Sequence, residues 1–286
     1  MSLESTHRNL LLRAGVYERK YARLFRAILI DQYNKASQAY PNAYIVDPND
    51  YRDVLFKLYA EVLPREAQHA WDDYVKPLTN DQKDIIDDIV SFLGLSTPEG
   101  ELIRIWREAS RSWLNINILS KIRGLAETTQ KAIAKVIENA LNDEDGTSID
   151  YIRRTIEKEA KGEVNKSRAM LIARTETMTA MSKGRRLSML SSNIEWEKKW
   201  IDTPDNRTRV SHRYIALEDY RPLLDPYTLN IPRTGGTEEC QHPSDPILSA
   251  GNVIQCRCSE SFRPMRDSSG RPIKRTQSYD DFVNII

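Results

Sequence analysis

Cys256 and Cys258 stand two residues apart near the end of a 286-residue chain and are two of its three cysteines. Val253 to Phe262 reads as a strand, and on a strand a spacing of two points both thiols to the same side. A thiol pair facing one way supplies half of a tetrahedral zinc site, which accepts mixed Cys and His ligands and takes four of them when structural. His212 and Cys240 are the candidates for the other half, with His242 as the substitute if Cys240 points away. Metal binding would contribute directly to the folding of a small, loop-rich unit. Two other readings stay open. Free cysteines often pack as small buried hydrophobes, and Cys240 can instead enter a disulfide. The usual zinc signature of two Cys-x-x-Cys pairs is missing.

Three further groups of polar residues invite a chemical reading. Thr203-Pro204-Asp205 looks like a capped helix start leading through His212 to Leu217. In such a helix Asp205 and Arg209 are four apart and form a surface pair, and Arg209 shares its face with His212. The cluster either grips a phosphate or carboxylate, or forms an internal network that holds the helix on the sheet; the internal network is the simpler reading. Lys183, Arg185 and Arg186 form a basic run at the end of a long helix, a candidate patch for DNA phosphates that would ignore sequence. Cations also suit a helix C-terminus, so a purely structural role explains the run equally well.

Enzyme signatures are scarce. No phosphate-cradling G-x-x-x-x-G-K-[ST] loop and no H-E-x-x-H helix occurs. Tyr214 stands two residues after His212, where a nucleobase deaminase needs glutamate. A nucleophilic Cys–His pair of Cys256 or Cys258 with His212 is formally available, but nothing in the sequence marks a substrate pocket, and no enzymatic activity is expected.

The elements that must position these residues are mainly helical. From Leu10 to about Tyr33, Tyr17, Tyr21, Leu24, Phe25, Ile28 and Leu29 recur at helical spacing, with Arg13, Arg19, Lys20, Arg23 and Arg26 around them. A breaker cluster from Pro41 to Asn49 predicts a loop. Helices are expected over Tyr51–Val62, Arg65–Val75 and Asp81–Leu93, broken at Pro64 and near Gly94. Thr97-Pro98-Glu99 opens another, carrying Leu102, Ile105, Trp106, Ala109 and Trp113. A second helical block runs from Leu125 to Leu190, interrupted by the turn Asp143–Ser148 and by Gly162. The tryptophans and methionines of these helices read as core packing. Beyond Ser192 the texture changes. Trp196, Lys198 and Trp200 alternate with Glu195, Glu197 and Lys199 as a strand does, and Arg221 to Pro246 is mostly loop.

The formal net charge is only +1, from 42 Lys+Arg and 41 Asp+Glu, so any DNA contact must come from a local patch. No apolar run approaches the roughly 20 residues that span a bilayer. Met1 to Arg13 lacks an uninterrupted apolar stretch with a small-residue cleavage site, so no signal peptide is expected.

Four pieces of the sequence, in order, resemble the phage Mu F-like minor head proteins of tailed bacteriophages. They are Ile172-Ala173-Arg174-Thr175-Glu176-Thr177; Asp205, Arg207 and Arg209 with Ser211-His212; His242-Pro243-Ser244-Asp245-Pro246; and Asn252-Val253-Ile254-Gln255-Cys256-Arg257-Cys258. The glycine that members often carry after the serine–histidine helix is absent; the stretch reads Leu217-Glu218-Asp219-Tyr220. The resemblance covers roughly Lys121 to Phe262 and implies a minor capsid, or head-morphogenesis, protein. Such a protein sits inside the head or at the portal vertex after assembly in the host cytoplasm. It contacts the portal protein, capsid proteins and packaged double-stranded DNA, with no membrane. A non-specific DNA-binding virion protein and a virion-carried enzyme with a Cys/His site are the alternatives.

The expected fold is a mainly α N-terminal region with a small α+β C-terminal domain. Along the chain this divides into a helical region 1–120, available for portal or capsid contact, a helical middle region 121–192, the α+β unit 193–262, and a polar tail 263–286 that is extended over a partner or flexible.

Overall fold

The computed structural model describes residues 3–81, 98–143, 148–232 and 234–275. The chain is mainly helical, with its strands gathered in a small C-terminal region. The first helix, α1, runs Leu3–Ala39, longer at both ends than its apolar stripe suggests. Leu10, Ala14, Tyr17, Tyr21, Phe25, Leu29, Tyr33 and Ala36 repeat at three and four and are buried. Each large side chain so covered contributes roughly 1.5–3 kcal/mol. Asp47 then caps a 3-10 turn, Pro48–Tyr51, by accepting the Asn49 N–H at 2.9 Å.

The expected break at Pro64 does not occur. Pro64 lies inside α2, Arg52–Ala70. An interior proline costs roughly 3 kcal/mol through its missing N–H and its ring. The fully buried neighbours Val62, Leu63 and Ala67 offset that cost by packing. The chain widens into a π turn at Trp71–Val75 and continues as α3, Lys76–Asp81. The helix expected over Asp81–Leu93 falls outside the described residues apart from its first position. Helix α4 begins at Pro98 and runs to Leu141 without interruption, so the helix expected from Thr97 and the start of the second expected block are one element. Residues 144–147 of the expected turn lie outside the described residues. Helix α5, Ile149–Lys161, follows Ser148 at its N-cap, where no side-chain bond to the helix is made. Gly162 separates it from α6, Glu163–Leu190.

Contacts divide the chain into two compact units. One comprises 1–14, 59–113 and 177–286; the other comprises 15–58 and 114–176. The units interleave along the chain. Among the described residues the regular elements of the second unit are all helices. In it the Tyr51 hydroxyl meets Thr129 Oγ1 at 2.8 Å and the Tyr21 hydroxyl donates to the Lys57 carbonyl at 2.9 Å. Arg174 pairs with Glu18 at 3.1 Å and Glu176 with Lys121 at 2.7 Å. Two charged residues of the Arg174-Thr175-Glu176 run thus act as ties within this unit.

The first unit holds the strands. Strand β1, Trp196–Ile201, is central in a three-stranded antiparallel sheet, flanked by β2, Arg221–Pro222, and β5, Ser259–Pro264. Trp196 faces Pro264 and Ile201 faces Ser259 in the register. The alternation in β1 sends Trp196, Lys198 and Trp200 to the buried side. Helix α7, Val210–Leu217, lies between β1 and β2 in the chain. A two-stranded ribbon pairs β3, Tyr227–Asn230, with β4, Thr237–Cys240. Its turn uses Gly235 and Gly236 at φ 76° and 83°, where a Cβ would be strained. One apolar cluster gathers Leu63, Ala67, Trp71, Trp106, Leu187, Leu190, Trp196 and Phe262. Another gathers Trp200, Ile215, Tyr227, Leu229, Cys240, Leu248, Cys256 and Cys258.

Two expectations need correction here. The strand expected over Val253–Phe262 starts only at Ser259. Ala250–Val253 is a single helical turn, α8, and Gln255 takes φ 58°, which turns the chain before the cysteines. The tail expected from residue 263 is tied back by hydrogen bonds as far as 275, although most of its side chains are exposed. Met265 donates to the Glu195 carbonyl at 2.8 Å, and Arg275 donates to the carbonyls of Leu190 and Ile194, each at 3.2 Å. A buried guanidinium meeting carbonyls at the end of α6 completes that helix terminus. Residues 276–286 lie outside the described residues.

Candidate metal centre

His212 sits in α7 with 1% of its surface exposed. Arg209, and not Thr203, is the N-cap residue of that helix. The chain before it is a turn, because Asp205 spends its oxygens locally. Asp205 Oδ1 accepts the Arg207 N–H at 3.0 Å, and its carbonyl accepts the Thr208 N–H at 3.2 Å. Asp205 and Arg209 therefore do not form the expected helical pair. Asp205 bonds Arg257 at 2.5 Å and Arg207 at 3.3 Å, while Arg209 donates to the Ile254 carbonyl at 2.5 Å. The bonds to Arg257 and Ile254 fasten the approach to α7 onto the segment that carries the cysteines.

That segment brings two thiols to one imidazole. Cys256 Sγ lies 3.6 Å and Cys258 Sγ 3.4 Å from His212 Nδ1. The spacing of two does place both thiols on one side, though in an extended entry to β5 and not within the strand itself. Among the described residues, His212, Cys256 and Cys258 are the group of His, Cys, Asp and Glu side chains whose ligand atoms all lie within 4.8 Å of one another. All three are buried, and the arrangement can hold a metal ion. The far ring nitrogen of His212, Nε2, meets Asn252 Oδ1 at 3.2 Å, and the ring packs edge-on against Trp200, centroids 5.2 Å apart.

The electrostatics split the two thiols. A hydrogen bond from the Cys258 thiol holds Cys256 well below the ordinary thiol range against the opposing effect of burial. The same bond, with burial and the neighbouring thiolate, holds the proton on Cys258. A thiolate already favoured at one ligand is what metal capture requires.

Cys240 and His242 are not part of the group. Cys240 ends β4 opposite Tyr227 and packs in the apolar cluster, where burial pushes its thiol well above the ordinary range. His242 is buried, its Nδ1 2.9 Å from the Pro243 carbonyl, and burial pushes it down to about 4. None of the three cysteines is in a disulfide.

The basic run at the end of α6 is not a surface patch. Arg185 is 1% and Arg186 4% exposed. Arg185 donates to the Glu260 carbonyl at 3.1 Å; Arg186 donates to the Leu223 carbonyl at 2.7 Å and to Gln241 Oε1 at 2.9 Å. Lys183 is half-buried with its ammonium 5.7 Å from the Trp113 ring centroid, and burial pushes it down to about 8. These cations serve a buried polar network that sequence reasoning missed. In it Lys198 donates to the Gln241 carbonyl at 2.7 Å, burial pushes the Lys198 ammonium down to about 7, and burial raises Glu260. His7, also missed, is buried with Nδ1 2.7 Å from Ser259 Oγ at the foot of β5.

Fold and site together define a mainly helical chain carrying a small α+β region with a buried His–Cys–Cys group able to hold a metal ion. The chain is similar to YqbB, an uncharacterized protein of Bacillus subtilis (strain 168), with 28% identity over 185 residues, 65% of this chain and 54% of YqbB. It thus spans about half the length of that curated relative. No protein-family profile and no solved structure matches the chain.

Proposed function

We propose that the chain is a minor head protein of a tailed bacteriophage, similar to the Mu F-like proteins. It would act at the portal vertex in head assembly and in protecting or delivering the packaged DNA. One observation supports this reading above the others: residues from two of the four sequence pieces that resemble the family are each other's partners in space. Asp205 meets Arg257, Arg209 meets Ile254, and His212 meets Asn252, Cys256 and Cys258. The third piece has its own tie within the same unit, since the Ser244 carbonyl accepts from Thr179 at 3.0 Å. Pieces that recur together in order are expected to build one object, and these contacts fit that expectation.

In this reading the His–Cys–Cys group holds structural zinc. Tetrahedral zinc with bonds of about 2.3 Å to sulfur and about 2.05 Å to nitrogen needs sulfur and nitrogen about 3.6 Å apart. The two separations observed are 3.6 and 3.4 Å. The fourth position is left to a water molecule. Three protein ligands with an open fourth position is the pattern of catalytic zinc, but burial of all three leaves a substrate little access, and this favours a structural role.

Mass spectrometry of nuclease-treated particles from the phage or prophage encoding the chain tests the assignment. The chain should be found in them at low copy beside the portal protein. Its absence from particles whose portal and major capsid proteins are both detected would contradict the proposal.

A further inference from the structure

His212 can face a metal through Nδ1 only if its proton sits on Nε2, and the surroundings of Asn252 decide where that proton is. One hydrogen of the Asn252 amide meets the Asn230 backbone carbonyl at 2.9 Å, an atom that only accepts. The other meets Glu238 Oε1 at 2.5 Å. Asn252 must therefore turn its NH2 group toward those two and its carbonyl toward His212, where Ser211 Oγ also donates to it at 3.3 Å. A carbonyl cannot donate, so the 3.2 Å contact from His212 requires hydrogen on Nε2. In the neutral ring Nδ1 is then left as a lone pair facing the two sulfur atoms. Glu238 is fixed in turn, accepting from the Ser249 N–H at 2.7 Å and its hydroxyl at 2.9 Å. Asn252 is fully buried, so solvent cannot replace it.

We infer that Glu238 and Asn252 form a relay that locks His212 in the Nε2-protonated tautomer for ligation of a divalent metal through Nδ1. This rests on the metal reading of the site. Both are positioning residues: neither reaches the ion, and each acts through the residue ahead of it. Partners of this kind orient a ligand imidazole and raise its basicity.

Two measurements on the full-length chain test the relay and keep its failure apart from that of the metal reading. In the metal-free protein, two-bond proton–nitrogen-15 correlation of the imidazole should show His212 protonated on Nε2, and Glu238→Gln should admit the other tautomer. In titrations with cobalt(II), Asn252→Ala should bind on the order of 10–100-fold more weakly than the unmodified chain while keeping thiolate-to-cobalt absorption. Glu238→Gln should weaken binding in the same direction by less. A His212 proton on Nδ1 in the unmodified chain would overturn the relay. So would undiminished cobalt affinity in Asn252→Ala or, should that variant not fold, in Glu238→Gln. Absence of thiolate–cobalt absorption in the unmodified chain would instead overturn the metal reading, and the tautomer spectrum then judges the relay alone.

Discussion

Asp205 Oδ2 and Arg257 Nη2 lie 2.5 Å apart, joining the turn before α7 to the residue between the two cysteines. His212 and the thiols come from segments about forty residues apart in the chain, and this ion pair is one of the ties that fix their separation. Hydrogen bonding by Arg257 holds the Asp205 carboxyl well below the ordinary aspartate value of 3.8. A carboxyl depressed in the folded state adds stability above its unfolded value and loses it as pH falls toward the folded one. Asp205→Asn should therefore melt at a lower temperature than the parent near neutral pH. The gap should close as the pH is taken progressively below 3.8. A gap that stayed constant with pH would mean the carboxylate charge is not the source.

Gly184 in α6 crosses α2 with no room to spare. A Cβ there would stand 2.3 Å from the Leu63 carbonyl oxygen and 3.2 Å from the Ala67 nitrogen. Those are backbone atoms and cannot rotate away. Gly184→Ala should destabilise the protein by about 1–3 kcal/mol in urea unfolding, in spite of alanine's better helix propensity. A neutral or stabilising result would show that the two helices can part.

How much of this was legible depended on whether the cause was local. The same-side placement of Cys256 and Cys258 follows from a spacing of two in any extended chain, so it survived the replacement of the expected strand by an extended approach. The alternation that marked β1 is likewise a local property of Trp196 to Ile201. Cys240 was misplaced because its position is set by pairing with Tyr227 across a ribbon, which no short window reveals. Arg185 and Arg186 read as surface cations because sequence gives their charge but not the Gln241 and Glu260 acceptors that receive them. Asn252 lay inside a recognised motif without a role, and Glu238 carried no signal at all. The break at Pro64 failed for a related reason, since the packing that offsets it comes from distant segments.

DNA contact, if the proposal holds, must use other cations than Arg185 and Arg186. Arg19, Lys20 and Arg23 are exposed along α1. Replacing these three by serine should weaken binding to double-stranded DNA and flatten its dependence on salt, roughly by one unit of log–log slope for each phosphate no longer neutralised. Arg186→Ser should leave that slope alone and lower thermal stability, since it strips the Leu223 carbonyl and Gln241 of a buried donor. The opposite pattern would restore the end of α6 as the DNA-facing surface.

Lys198 should write a signature into the pH dependence of stability. Burial pushes it down to about 7 from an ordinary 10.5, so the unfolded chain binds more protons between those values. Stability contributed by this residue therefore rises with pH through that window, at most by about 1.4 kcal/mol per pH unit for one proton. Burial raises the Cys240 thiol above its ordinary 9.0, which opposes the trend at higher pH. Lys198→Met should accordingly remove a positive slope between pH about 7 and 9 seen in the parent. Parallel curves for the two proteins would contradict the burial of an ammonium at this position.

Zinc at His212, Cys256 and Cys258 is the central claim, and elemental mass spectrometry of the purified, chelator-washed chain, beside Cys258→Ser, tests it most directly. About one zinc per chain is expected in the unmodified protein, and the variant should lose it together with thermal stability. No zinc in either, with equal melting temperatures, would leave His212, Cys256 and Cys258 as a packed core and contradict the knuckle.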